Sequence, residues 1–265
     1  MSQNDRTLTS RYEWKYFVPA SILPSIRAMV QPFVRPDHFA RQHADRRYPI
    51  VSLYLDGDGL ELYRTTVEGH RNRFKLRVRA YDDDPNSPVF LEVKKRSNVV
   101  VRKTRARVSR EVAEAVLSGR PAPLSEVEGA SEFALRLGEL GARPLVRVRY
   151  MREAYESVHG DPVRFTIDTE VEHAMTATNN LALEAHRDWE KTPTEGAIVE
   201  LKFSEQCPSW ATRLIDQLEI NRESIPKYVL SLDHAMEQGR LSRPRRTQLR
   251  HALSEARRPL RLPNA

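Results

Sequence analysis

The 265-residue chain carries 43 Lys and Arg against 36 Asp and Glu, and the net charge of +7 favours anionic partners without choosing among nucleic acid, nucleotide, polyphosphate and membrane surface. A single cysteine, Cys207, excludes an intramolecular disulfide and any cysteine-rich zinc site, which suits a reducing compartment. No apolar run approaches the roughly 20 residues that cross a bilayer, and the polar opening MSQNDRTLTSR lacks a signal-peptide core, so a cytoplasmic protein with no membrane span is expected.

Residues 1–8 read as a disordered N-terminus. In RYEWKYFV (11–18), Arg11, Glu13 and Lys15 alternate with Tyr12, Trp14 and Tyr16, the period-two pattern of a strand with one charged and one aromatic face. Ile22, Ile26, Met29 and Val30 fall at helical spacing, and Pro24 lies in the first turn where a missing N–H costs little, so a helix is predicted over 20–31. After a loop at 35–47, YPIVSLYLD has the β-branched and aromatic content of a strand. Asp56-Gly57-Asp58-Gly59 is read as a turn, since the remaining ligand positions of an EF-hand are missing, with a short helix at 59–67.

Next comes RNRFKLRVRAYDDDPNSPVFLEVKKRSNVVVRKTRARV (71–108). Arg71, Arg73, Lys75, Arg77 and Arg79 alternate with Phe74, Leu76, Val78 and Ala80, so one face of this strand is cationic and the other apolar. A second strand places Phe90, Glu92 and Lys94 opposite Leu91 and Val93. A third places Lys103, Arg105 and Arg107 opposite Thr104, Ala106 and Val108. Such a meander could present a solvated basic face, but like charges side by side repel unless carboxylates or anions lie across from them.

Ser109 is a predicted N-cap for EVAEAVLSG, and a second helix is expected over 124–140. In PLVRVRYMR, Arg147 and Arg149 share a face with Leu145 and Met151, while Val146, Val148 and Tyr150 take the other. Val163, Phe165 and Ile167 alternate with Arg164, Thr166 and Asp168. Residues 171–196 read as a long connection or an irregular strand pair. AIVELKF sets Ile198, Glu200 and Lys202 opposite Val199, Leu201 and Phe203, and amphipathic helices follow from Pro208 and from about 226. The stretch 239–265 is an arginine-rich tail with little to bury, suited to an acidic partner.

Most of the eight strand-like segments thus carry charge on the face that faces away from the apolar residues. Eight antiparallel strands could lie as an open sheet or close into a barrel; with the charged face inward, helices must cover the outside and only an anionic ligand makes so many enclosed cations tolerable. The triplets Glu13-Trp14-Lys15, Glu92-Val93-Lys94 and Glu200-Leu201-Lys202 project Glu and Lys the same way, a pattern that serves either cross-strand ion pairs or phosphates with a hard metal ion.

In order and residue type, RYEWKYFV, SLYLD, KLRVRAY, FLEVKKR, RKTRAR, LVRVRYMREAY, VRFTID, VELKF and IPKYVLSLDHAM resemble the successive motifs of the VTC domain, the polyphosphate polymerase domain of the triphosphate tunnel metalloenzyme (CYTH-like) superfamily, over residues 9–238. The resemblance implies an α+β fold: a closed eight-stranded antiparallel tunnel with helices packed outside. It also implies binding of ATP and inorganic polyphosphate with Mn²⁺ or Mg²⁺. By the same resemblance Lys15, Arg77, Arg79, Lys94, Lys103, Arg147 and Arg164 are the catalytic phosphate-binding positions, with Lys202, Lys227, Lys75, Arg105 and Arg11 as further substrate contacts. Glu200 matches the metal-binding glutamate, and Glu13 and Glu92 are inferred to be auxiliary metal ligands or groups that orient the lysines. Tyr12, Trp14 and Phe203 are expected to pack outward.

The chain has Arg11-x-Glu13-x-Lys15 where tripolyphosphatases and cyclases of the superfamily resemble E-x-E-x-K, which removes one metal ligand and favours transfer between phosphates over hydrolysis. The SPX domain and membrane segments found with VTC domains in fungal complexes do not occur in the sequence, so their functions do not carry over. No Ser/His or Cys/His pairing suggests a protein nucleophile, and His70 reads as a structural or loop residue. The alternatives are a metal-dependent tripolyphosphatase or nucleoside triphosphatase, and a non-catalytic polyphosphate-binding module. Nucleic acid is disfavoured because the aromatics fall mainly on the face opposite the cations.

Overall fold

Apolar residues at every second position set the strands of the chain, and the computed structural model describes residues 12–244 except 99, 125–126, 161, 183–187, 195 and 205. The segment expected to be disordered at 1–8, Arg11, and the tail beyond 244 lie outside the described residues. In order come β1 (Tyr12–Val18), α1 (Leu23–Val30), β2 (Val34–Pro36), β3 (Arg47–Asp56), α2 (Glu61–Val67), β4 (Asn72–Ala80), β5 (Val89–Ser97) and β6 (Val100–Val108). Then follow α3 (Arg110–Leu117), α4 (Ala130–Leu140), β7 (Arg143–Ser157), β8 (Arg164–Met175), β9 (Glu190–Lys191), β10 (Ala197–Phe203), α5 (Ser209–Leu218) and α6 (Lys227–Glu237). No described helix is long and apolar enough to cross a membrane.

The strands form one antiparallel sheet in the order β1-β10-β8-β7-β3-β4-β5-β6, with β2 added to β7 and β9 to β8. This corrects the expectation of a closed eight-stranded tunnel. The sheet has 10 strands, and among the described residues no ladder joins β1 to β6. Instead the sheet curls until Lys94 Nζ on β5 reaches Glu13 Oε2 on β1 at 2.6 Å, so opposite charges meet across the concave face.

Register assigns the faces. Leu53, Leu76, Val78, Leu91 and Val93 point outward into a core with Ala113 and Val116 of α3 and Ala130 and Phe133 of α4. Phe165, Val199, Leu201 and Phe203 point outward against Leu23 and Ile26 of α1 and Ala211 and Leu214 of α5. Trp14 packs on that second core and meets the Phe203 ring edge-on at 4.8 Å, the outward position expected for both. The Ser109 side chain accepts a hydrogen bond from the Val112 N–H at the start of α3. Ser109→Ala is expected to lower stability by about 1 kcal/mol in urea unfolding, and an unchanged midpoint would remove the cap from the account.

The helices do not all lie outside, a second correction. Tyr228, Val229, Leu232 and Met236 of α6 pack on Tyr54, Val146, Val148 and Ile198, which share the inner face with the charged residues. An apolar stripe fixes that a helix packs, not on which face. Here the inner face of β7 begins with Val146 and Val148, and α6 seats there, filling one end of the concave side. Asp56 ties this end together. Its carboxylate accepts from the N–H groups of Leu62 and Tyr63 at the head of α2 and from the Tyr228 hydroxyl at 2.6 Å. The Asp56 to Gly59 segment is therefore a turn into a helix, as expected.

Candidate active site

The rest of the concave face is charged because the odd-numbered residues of β4 and the even-numbered residues of β5 both point into it. Lys75 stands opposite Lys94, and Lys94 opposite Lys103, so three ammonium groups form one row across β4, β5 and β6. Like charges in register destabilise a bare sheet. Beside that row Arg77 stands opposite Glu92, and Glu92 opposite Arg105. Glu92 is the hub of this wall, its side chain 1% exposed. Arg77 Nε donates to Oε2 at 2.6 Å, while Lys103 Nζ lies 2.8 Å and Arg105 Nε 3.4 Å from Oε1. Arg105 also stacks on Phe90 at 3.6 Å and donates to the Tyr81 hydroxyl, and Arg77 donates to the Tyr54 hydroxyl.

Arg79 is buried, donating to Ser52 Oγ at 3.2 Å and the Tyr150 hydroxyl at 3.3 Å; neither partner is a carboxylate. Lys75 makes no hydrogen bond or ion pair among the described residues and lies 5.8 Å over the Tyr228 ring. Burial, with Lys15, Lys94 and Arg77 nearby, holds the Lys75 ammonium well below its ordinary value. Burial also lowers Lys103, to about 7, against the pull of Glu92 and with Arg77, Arg79 and Arg105 adding to the fall.

On the facing wall, β1 and β10 pair Glu13 with Lys202 and Lys15 with Glu200. Lys202 Nζ lies 2.5 Å from Glu200 Oε1, and Lys15 Nζ 2.9 Å from Glu13 Oε1. Burial and the Glu200 carboxylate push Glu13 up, yet Lys15, Lys94 and Lys202 prevail and hold it at about 2. Glu200 is likewise raised by burial but held well below its ordinary value by Lys202, Lys15 and Lys94. The two carboxylates therefore face a common space and repel each other, which a hard divalent cation between them relieves. Oxygen donors of this kind fit Mn²⁺ or Mg²⁺. Three cationic side chains surround the Glu92 oxygens, an arrangement that orients arginine and lysine.

Three expected positions lie apart from these two clusters. Arg147 points to the outer face opposite Leu53, with its guanidinium 5.0 Å from the Trp189 ring, so its expected place among the phosphate contacts is corrected. The alternation of LVRVRYMR already put Arg147 and Val146 on opposite faces, and α6 takes the Val146 side. Arg164 sits on the inner face at the rim, opposite Lys202, with Nη2 2.7 Å from Asp37 Oδ2. Lys227, the first residue of α6, is tied at 2.5 Å to Asp168 Oδ2 and lies 4.6 Å over Tyr150.

Asp168 and Arg152 were not singled out from the sequence. Asp168 is 0% exposed and takes Arg152 in a two-pronged contact, Nε to Oδ1 at 2.6 Å and Nη2 to Oδ2 at 2.8 Å. Burial raises the Asp168 carboxyl, but Arg152 and Lys227 bring it to about 2. Both residues share the parity of inward neighbours, Arg152 that of Tyr150 and Asp168 that of Arg164, which was the signal available.

Fold and site together define an antiparallel α+β protein whose sheet curls round a cleft with more cations than carboxylates. The chain belongs to the VTC domain family, whose model matches residues 10–235. No curated protein matches it. Among solved structures, a proposed adenylate cyclase of Bacillus halodurans is 11% identical, covering 82% of this chain and 94% of its own, with a TM-score of 0.48. A proposed adenylyl cyclase of Hippeastrum, described as having a dominant triphosphatase activity, is 13% identical over 89% of this chain and 99% of its own, with a TM-score of 0.45. A Pyrococcus horikoshii protein is 12% identical over 84% and 99% of the two chains, with a TM-score of 0.44.

Proposed function

We propose that the chain is a polyphosphate polymerase that moves the γ-phosphoryl group of ATP onto the end of a polyphosphate chain lying along the basic cleft. The observation that carries this reading is the row Lys75, Lys94 and Lys103 beside Arg77 and Arg79: closely spaced cations on one face, with neither Lys75 nor Arg79 given a carboxylate partner. A linear polyanion supplies the missing charge at regular intervals.

In the proposed reaction, an oxygen of the acceptor's terminal phosphate forms a bond to the γ-phosphorus while the bond to the β–γ bridging oxygen breaks, releasing ADP. No side chain needs to become a nucleophile. Lys75, Lys94, Lys103, Arg77 and Arg79 hold and align the phosphates from one wall, and Lys15 and Lys202 do so from the other. Charge spreading onto the transferred group is met by cations already fixed in place, so little reorganisation is needed at the moment of transfer. Glu92 and Glu13 keep those cations oriented, and Arg105, Lys227 and, at the rim, Arg164 add positive potential. A Mn²⁺ or Mg²⁺ ion held by Glu200, with Glu13 beside it, would polarise the phosphoryl oxygens.

The test is direct. Purified protein given ATP and Mn²⁺ is expected to make long polyphosphate and ADP; orthophosphate alone would replace this reading with hydrolysis, and no turnover with retained polyphosphate binding would leave a binding module. A linked prediction concerns pH. Lys103 is held at about 7 in the free protein and charges when an anion arrives, so tripolyphosphate binding at pH 7–8 takes up protons and weakens as pH rises. Calorimetry in buffers of different ionisation enthalpy measures the uptake. Lys103→Arg, which stays charged, is expected to reduce it; the same uptake in the variant would exclude Lys103 as a source.

A further inference from the structure

A second cluster lies at the opposite end of the concave side, where α6 meets β8 and β9. A bulge in β8 brings it there. Val148 pairs with His173, whereas Arg152 pairs with Asp168, and between them the register slips at Glu170, which takes a positive φ of 54°. Both Asp168 and His173 consequently turn inward although their positions differ in parity. His173 is buried and lies edge-on to His234 of α6, ring centres 5.2 Å apart. Across from His173 on β9 stands Glu190.

Edge-on packing accounts for the rings but not for their nitrogens. His173 Nε2 and His234 Nδ1 are both buried without a hydrogen-bond partner among the described residues. An unsatisfied buried polar atom costs about 1–3 kcal/mol, and two in one contact call for a common ligand. The other nitrogen of His173 is already fixed, with Nδ1 3.0 Å from Thr192 Oγ1. Thr192 is itself anchored by its N–H on the Val171 carbonyl and lies near Ser231 of α6. A histidine whose Nδ1–H donates to such an oxygen offers the bare Nε2 lone pair to a metal. Burial and the His234 ring lower His173 to about 4, so it is neutral at pH 7, the form that ligates.

We propose that His173 Nε2, His234 Nδ1 and a Glu190 carboxylate oxygen form a site for one divalent transition-metal ion of the zinc type, which fastens α6 to the β8–β9 end of the sheet. One donor atom from each of the three residues lies within 4.8 Å of the others. Bonds of about 2 Å in tetrahedral array bring such atoms to roughly 3.3 Å, a closure that side-chain rotation supplies. Two imidazoles and one carboxylate select zinc, cobalt or nickel over the hard cations that suit Glu200 and Glu13. Glu190 also pairs with Arg240, so metal and guanidinium compete for the same carboxylate. The site is independent of the reading of the basic cleft, since none of its ligands lies there.

The experiment uses the whole chain, stripped with chelator and titrated with Co²⁺ as the probe. The expected result is one equivalent bound with the visible absorption of an imidazole-ligated ion, its displacement by Zn²⁺, and a melting temperature raised by Zn²⁺. His234→Ala is expected to abolish the absorption and Glu190→Gln to weaken binding at least about tenfold. Absent absorption in the parent, or parental affinity in either ligand variant, overturns the proposal. Should His234→Ala fail to fold, Glu190→Gln, a same-sized change at a part-exposed side chain, decides the question alone.

Discussion

Glu200→Gln is expected to reduce ATP-dependent turnover by about 10²- to 10³-fold while leaving the protein folded. The substitution preserves size and hydrogen-bonding shape but deletes the charge that β10 presents opposite Lys15 and beside Glu13. With only one carboxylate left, the cleft loses half of its hard-oxygen pair, so the concentration of Mn²⁺ needed for half-maximal rate should rise as kcat falls. The fold should tolerate the change because the direct partner, Lys202, keeps its side chain 28% exposed and can recover water. Steady-state rates across a metal titration, alongside a melting curve, measure both halves. Polymerisation at the parental rate would remove Glu200 from its proposed role as the metal's holder.

Asp168→Asn should act on stability before anything else. Arg152 and Lys227, each only 10% exposed at the side chain, lose the one carboxylate that compensates both. Breaking a buried pair in this way costs about 3–5 kcal/mol, which urea unfolding at pH 7 would show as a large fall in midpoint. The pH dependence carries its own sign. The folded carboxyl sits at about 2 against an ordinary 3.8, so its contribution is fully present above pH 4 and disappears as pH falls towards 2. The Asn variant should lack that acid-side decline, and the parent should keep it. A variant as stable as the parent at pH 7 would mean that water, not Asp168, neutralises Arg152 and Lys227.

Much of this was legible in the residues. Alternation alone put Lys75, Arg77 and Arg79 on one face and Leu76 and Val78 on the other, because a strand leaves no other choice. The same rule had already turned Arg147 away from Val146; the resemblance to the family's phosphate positions pointed the other way, and the alternation was right. Three features were hidden for physical reasons. Whether two edge strands pair depends on sheet curvature, which no single strand encodes, so closure could not be read from β1 or β6. Which face receives α6 depends on where the sheet is apolar inside. The bulge at Glu170 rests on a left-handed backbone at a residue that does not advertise it. That slip made 171–196 hard to place, and His173 and Glu190 both lie in that stretch.

On the proposed function, the lack of a ladder between β1 and β6 among the described residues bears on how a long polymer would get in. A hydrogen-bonded barrel must be threaded from an end, so its substrate needs a terminus within reach. Here Lys94 and Glu13 meet across the concave face, and both are groups for which a phosphate or a metal ion competes. An arriving polyanion can take Lys94 from Glu13 and settle sideways along the groove, its middle as admissible as its tip. Loading is then limited by meeting any segment of the polymer rather than by finding its end, and the association rate should grow with chain length.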